Sequence, residues 1–352
     1  MIKNISVIEG DGIGPEVIKE TIKVLNSIAI KYGHDFHYKN VLAGSKAIEK
    51  LGDPMPEESI ENCLKSDAVL FSCIGDPKYD HNPRGKRPED GLLKLRKRMN
   101  LYCNIRPIIV FSILDKSPVK KEFLNQVDFV IYRELTGGIY FGEKGRNKNG
   151  EEAYDYCIYS KTEIERIGEM AFKAALSRKK KVTLVDKANV LETSRLWREV
   201  IKNISLDYPN VDLDFLYIDN AAMQIIMNPK KFDIILTDNM FGDILSDESS
   251  VLTSSLGLLP SASIGNNKSM FEPIHGSYPQ AKGKNIANPL GCILSSSMML
   301  EYFGMHKEKN ILEKAVKNSI EKKICTPDII DSKLSSTTEE VGNYIEKYIL
   351  NQ

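Results

Sequence analysis

Short β-rich runs alternate with amphipathic helical stretches along this chain, which confines it to an α/β fold in which crossover helices cover a sheet. "ISVIEG", "FHYKNV" and "AVLFSCIG" read as strands, and 15–32 and 57–66 have helical spacing. Further on, "VDFVIYREL", "KVTLVDK", "LDFLYID" and "DIILTD" read as strands, separated by helices from about 161 to 178 and around "SRLWREVIKNI". The 352 residues exceed one ordinary core and suit two domains, or one large sheet carrying an insertion. "EKGRNKNGEEAYDYCIYS" is a polar, Gly-containing excursion with a Tyr-rich end, expected to be an exposed arm. Residues 256–291 read as loop, followed by a small-residue helix over 290–303 and two amphipathic helices.

Lys+Arg and Asp+Glu balance at 48 each, so no global field steers the chain toward nucleic acid or a membrane, and recognition must be local. No apolar stretch has the roughly 18 to 20 residues needed to span a bilayer, and the first residues start a strand with no signal-peptide pattern, so a cytoplasmic protein is expected. The six cysteines are scattered singly and are expected to fill apolar space rather than bind zinc or cycle redox states. With 37 lysines against 11 arginines, each arginine hints at a position where a planar fork is wanted.

"EGDGIGPEV" at 9–17 follows an apolar strand and opens a helix, where a dinucleotide-binding glycine loop would lie. The fingerprint G-x-G-x-x-G fails, because Gly10, Gly12 and Gly14 run G-x-G-x-G and Pro15 occupies the place of the third required glycine. Pro15 also removes one N–H donor from the helix end, and "FHYKNV" ends without the acid that would hold a ribose. A tight strand-to-helix turn is the preferred reading.

Three groupings carry chemistry. "DNMFGDILSDE" puts Asp243 and Asp247 at i and i+4 on one helix face, and Asp219 ends "LDFLYID". Three carboxylates without histidine favour Mg²⁺ or Mn²⁺ over zinc, although the helical pair alone reads equally well as a solvated face. Arg96, near Leu92 and Leu93 in "GLLKLRKRMNLYCNIRP", together with Arg106 and Arg133, suits bidentate capture of a small polycarboxylate. Singly, each reads as a surface ion pair. Lys187 and Tyr140, placed at strand ends, are candidate proton carriers.

These segments, with "GDGIGPEV", "NIRP", "RELTGGIYFGE", "VDKANVL", "DNAAMQ", "LGLLPSAS", "EPIHGS" and "NIANP" in order over nearly the whole chain, resemble the β-decarboxylating dehydrogenase family of isopropylmalate, isocitrate, homoisocitrate and tartrate dehydrogenases. The resemblance implies an isopropylmalate/isocitrate dehydrogenase-like α/β fold of two domains around a large twisted mixed sheet, not a Rossmann fold. It implies a cofactor-binding domain from both chain ends, 1–101 plus 254–352, and a second domain over 102–253. It further implies a homodimer clasped by the arm near 141–160, each site borrowing Lys187 and Asp219 from the other subunit.

By the same resemblance Arg96, Arg106 and Arg133 hold the malate carboxylates, and Asp219, Asp243 and Asp247 hold Mg²⁺ or Mn²⁺. Lys187 takes the hydroxyl proton and Tyr140 protonates the enol left by decarboxylation. Leu92 and Leu93 stand where isocitrate enzymes carry polar side chains, which points to isopropylmalate. Burying an isopropyl group there is worth about 2 kcal/mol, whereas a carboxylate would lose its solvation without a partner.

The cofactor implied is NAD, along Ile13, Asp76, Glu89, Asn189 and Glu272, then His275, Gly276, Ser277, Gln280 and Asn288. Gln280 stands where an NAD-using pattern has Asp, so discrimination against NADP is expected to be weaker. A Mg²⁺-dependent phosphoryl-transfer enzyme is the rival from another class, but no G-x-x-x-x-G-K-[ST] loop supports it. A non-catalytic carboxylate-binding protein is the third reading.

Overall fold

A computed structural model describes residues 1–111 and 116–352. The chain forms two compact units. The first contains Met1–Leu101 and Thr253–Gln352, with residues 116–118. The second runs over Val119–Leu252, together with the segment that begins at Tyr102.

The first unit starts with β1 (Ile2–Gly10), α1 (Gly14–Tyr32), β2 (Asp35–Asn40), α2 (Ser45–Leu51), α3 (Glu57–Lys65), β3 (Ala68–Cys73) and α4 (Pro88–Arg98). The second holds β4 (Cys103–Ile109), α5 (Lys121–Leu124), β5 (Asp128–Glu134), β6 (Lys144–Arg146), β7 (Ala153–Asp155), α6 (Lys161–Leu176), β8 (Lys181–Asp186), α7 (Glu192–Ser205), β9 (Asp212–Tyr217), α8 (Ile218–Met227), β10 (Ile234–Thr237) and α9 (Asn239–Ser249). The chain then returns to the first unit with β11 (Pro260–Ile264), β12 (Ser269–Pro273), α10 (Leu290–Tyr302), α11 (His306–Glu321) and α12 (Thr338–Asn351).

In the first unit the strands run β2-β1-β3-β12-β11, parallel except for the antiparallel β11–β12 pair. Every residue of β3 is buried, as a strand covered on both faces should be. Ile8, Val69, Phe71 and Met270 of this sheet pack with Leu95 of α4, which anchors that helix. In the second unit the order is β4-β5-β10-β8-β9, with β4 antiparallel to β5 and the rest parallel. Trp197 of α7, Phe172 of α6 and Leu184 of β8 share its core. β6 and β7 form a separate antiparallel ribbon within the expected arm.

Residues 256–291 are not simply loop, because β11 and β12 form a hairpin and β12 lies beside β3. Its strand signal was hidden by Ser261, Ser263 and Ser269, which are small, polar and nonetheless buried. Two of them are hydrogen-bonded there, Ser261 N–H to Ser295 Oγ at 3.2 Å and Ser263 Oγ to Glu272 Oε1 at 3.4 Å. Asp219 does not end a strand either: β9 stops at Tyr217, and Asp219 lies in the first turn of α8. Tyr140 closes a single 3₁₀ turn, Gly138–Tyr140, rather than a strand. Five of the six cysteines are buried and Cys157 is half-buried, all as free thiols.

The "EGDGIGPEV" turn is shaped by close backbone approach. Gly10 has φ +70° and Gly12 φ +55°, and a Cβ on either would collide with a carbonyl oxygen, of Cys73 and of Ser277 respectively. Gly33, the C-cap of α1, has φ +67° but open space around it. Gly33→Ala should therefore cost only the left-handed backbone penalty, about 1 to 2 kcal/mol. Gly10→Ala adds the collision and should lower the denaturant midpoint clearly further. Equal losses in urea unfolding would show that close approach is not what the turn requires.

Candidate active site

Asp238 directly follows β10 and caps α9, accepting the Phe241 N–H at 2.8 Å. That start sets Asp243 and Asp247 on the helix face that meets Arg106 of β4 and Arg133 of β5. Arg133 Nη1 donates to Asp243 Oδ1 in a short contact, while Arg106 Nη1 lies 3.5 Å from Asp243 Oδ1 and 3.7 Å from Asp247 Oδ1. The Tyr140 hydroxyl donates to Asp243 Oδ2 at 2.9 Å, and its ring lies 5.6 Å from the Arg133 guanidinium carbon. Two of the expected arginines, the expected proton donor Tyr140 and two of the expected carboxylates thus converge.

Both arginines are buried and externally braced. Arg106 Nε donates to Asn104 Oδ1 at 2.5 Å and Nη1 to Ser246 Oγ. Arg133 Nε donates to the Asn239 carbonyl at 2.8 Å. Burial raises the Tyr140 phenol pKa, and Asp243 raises it further against the pull of Arg133 and Arg106, so the hydroxyl keeps its proton. Asp247, more exposed, is also held above the usual carboxylate range by its partial enclosure and by Asp243, with Arg106 opposing.

Lys187, directly after β8, and Asp219 form a separate pair at 2.7 Å. The lysine lowers the Asp219 pKa by hydrogen bonding. Among the described residues no three His, Cys, Asp or Glu side chains converge as a metal site. One chain therefore does not bring Asp219 to Asp243 and Asp247. Asn189 is exposed in the turn after Lys187.

The remaining candidates lie in the first unit. On α4, Glu89 is exposed, Leu92 and Leu93 are half-buried, and Arg96 is buried with Nη2 donating to Glu272 Oε1 at 2.7 Å. Arg96 Nε is buried with no partner among the described residues. The loop after β12 is tied to the glycine turn, with buried Ile13 donating its N–H to the Ser277 carbonyl at 2.8 Å. Gly14 N–H goes to the Asp11 carbonyl, so neither donor points at a ligand and the turn is no phosphate cradle.

His275 is buried. Its Nδ1 pairs with the Gly276 carbonyl at 3.0 Å, and Nε2 has no partner among the described residues. Burial pushes its pKa down, so the ring is neutral and Nε2 is an acceptor fit for an exocyclic amine such as that of adenine. Asn288 Nδ2 donates to Asp328 and its Oδ1 accepts Leu290 N–H. Gly276 and Gln280 are exposed, and half-buried Asp76 caps a 3₁₀ turn through Lys78 N–H. Reading the sequence missed Asn104, Ser246, Asn239 and Asp328. Only the adjacency of Asn239 to the acidic helix was a usable signal.

The isocitrate/isopropylmalate dehydrogenase family model matches residues 4–345. The chain belongs to this family. It is 49% identical to 3-isopropylmalate dehydrogenase of Bacteroides fragilis, over 98% of each chain. It is 47% identical to the Bacillus subtilis enzyme of the same name, over 100% of this chain and 98% of that one. Isocitrate dehydrogenase from Methylococcus capsulatus superposes with a TM-score of 0.89 at 34% identity, covering 99% of each chain. The fold is thus the two-domain α/β fold of these dehydrogenases, as the motifs implied.

Asp238 gives a testable pH dependence. Burial lifts its carboxyl to about 7, with Phe241 N–H and Arg133 pulling down and Glu134 and Asp186 pushing up. The unfolded value is about 4, so between the two values the folded protein binds more protons, and this group's contribution to stability falls as pH rises. Asp238→Asn keeps the cap and removes the titration. Its melting temperature relative to wild type should rise between about pH 5 and pH 8, and a pH-independent difference would refute the assignment.

Proposed function

We propose that the chain oxidises 3-isopropylmalate at C2 with NAD and a divalent cation and releases CO₂, yielding 4-methyl-2-oxopentanoate for leucine biosynthesis. The observation that carries this reading is the convergence of Arg106, Arg133 and Tyr140 on Asp243. It combines a carboxylate grip, a protonated phenol and a hard oxygen donor. When bound, Mg²⁺ or Mn²⁺ on Asp219, Asp243 and Asp247 supplies Lewis acidity at the C2 oxygen, and NAD supplies the hydride acceptor. The all-carboxylate donor set fits such an ion.

Arg96, Arg106 and Arg133 hold and orient the malate carboxylates by bidentate hydrogen bonds. Leu92 and Leu93, half-buried on α4, cover the isopropyl group, and burying it there contributes about 2 kcal/mol. Lys187 accepts the C2 hydroxyl proton. Tyr140 returns a proton to C3 after the carboxylate departs. The unit made of both chain ends holds the cofactor, with Ile13 near its nicotinamide end and Asp76, Glu89, Glu272 and the loop from His275 to Asn288 along it, together with Asn189.

The active unit is a homodimer whose sites are shared. Supporting this, Tyr154, Tyr156 and Ile158 of the arm, Met223 and Met227 of α8 and Ile244 of α9 are exposed in the single chain, an apolar set that a second copy would cover. Lys187 and Asp219 would then act in the partner's site.

Isopropylmalate, isocitrate, homoisocitrate and tartrate assayed side by side should rank isopropylmalate first by kcat/KM, and a faster reaction with any other would displace it. NAD should outpace NADP at equal concentration, by a margin narrowed by Gln280. Lys187→Ala and Tyr140→Phe should each be strongly impaired, by about 100-fold or more. Mixed and refolded together they should regain activity, since one site of each mixed dimer has both residues intact. No recovery in confirmed mixed dimers would place both residues in one chain's site.

A further inference from the structure

Asn239 opens α9 and is buried, and its hydrogen bonds reach three other parts of the same unit. Its backbone N–H donates to the Tyr159 hydroxyl at 2.9 Å, and its carbonyl accepts Arg133 Nε at 2.8 Å. The side-chain Oδ1 accepts Arg133 Nη2 at 2.8 Å and Nε at 3.3 Å. Nδ2 donates to the Gly137 carbonyl at 3.3 Å, directly before the turn that carries Tyr140.

A guanidinium is planar and its N–H vectors are fixed, so two acceptors along its Nε/Nη2 edge determine its plane. The stem is fixed too, because a Cβ at Gly242 would lie 2.6 Å from Arg133 Cγ. The Gly137 segment has little freedom, since a Cβ there would lie 2.8 Å from the Tyr159 ring, whose hydroxyl accepts from Asn239. One amide therefore faces the arginine with its acceptor and the tyrosine's turn with its donor.

We propose that Asn239 is a positioning residue that holds Arg133 and the Tyr140 turn in one frame, fixing the distance between the carboxylate grip and the proton donor. This rests on the function proposed above. It also assigns separate jobs to the two ends of the amide: Oδ1 serves substrate binding through Arg133, and Nδ2 serves proton delivery through Tyr140.

Two variants separate these jobs. Asn239→Ala removes both ends, and should raise the KM for isopropylmalate about tenfold or more and lower kcat, with the KM for NAD within about twofold of wild type. Asn239→Asp keeps acceptor oxygens for Arg133 but sets one against the Gly137 carbonyl. It should lower kcat about tenfold while its KM for isopropylmalate stays closer to wild type than that of the alanine variant. A merely structural residue would lower the melting temperature and the active fraction with both KM values unchanged.

If the alanine variant does not fold, the isosteric aspartate variant decides, and a wild-type kcat in it overturns the proposal. The wild-type assay tests the underlying reading by itself. A wild type silent on isopropylmalate overturns that reading, whereas an active wild type with an unchanged alanine variant overturns only the role of Asn239.

Discussion

The second unit is organised around the Asp243 carboxylate, which is shared by Arg133, Arg106 and Tyr140. Burying two guanidiniums is tolerable only where carboxylates or other acceptors face them. Asp243 and Asp247 balance Arg106 and Arg133 charge for charge, so the cluster is close to neutral before any ligand arrives. A divalent cation and a doubly charged malate add equal and opposite charge. Such a site accepts both together with little net cost, and either one alone less readily.

That cluster is assembled by backbone features with no chemistry of their own. β4 and β5 are antiparallel neighbours with Asn104 opposite Arg133, which places the Arg106 brace beside the second arginine. β5 and β10 pair with Arg133 opposite Thr237, so the Asp238 cap and α9 begin where the Arg133 side chain ends. Gly242 then lets the helix approach the arginine stem.

Much of this was legible beforehand. Strands with apolar, β-branched runs, such as β3 and β8, were readable because they are buried on both sides. α1 and α6 were readable from their amphipathic spacing. The β11–β12 hairpin was not, since its serines mimic loop composition and their burial depends on tertiary packing, as in the bond from Ser261 N–H to Ser295 of α10. Among functional side chains, acids at helical spacing and arginines in a lysine-rich chain stood out by type. Asn104, Ser246 and Asn239 did not, because an amide or hydroxyl gains its role only from the geometry of the group it braces. The glycine turn was legible as a failed fingerprint, but the reason for its three glycines, two carbonyls of other segments and that of Glu9 pressed against them, lies in the packing.

The placement of Asp219 follows a different logic. Asp219, Met223 and Met227 succeed one another at intervals of four on α8 and so share one face of that helix. All three are exposed in the single chain, with Tyr217 beside them. A surface that covers the two methionines must also take in the carboxylate and its Lys187 partner. Burying that charge pair without further compensation would be unfavourable, so the apolar gain at the methionines and the polar demand at Asp219 must be met by the same neighbour. In the dimer proposed above, a second copy would meet both demands if it set its own arginine and carboxylate cluster against the pair.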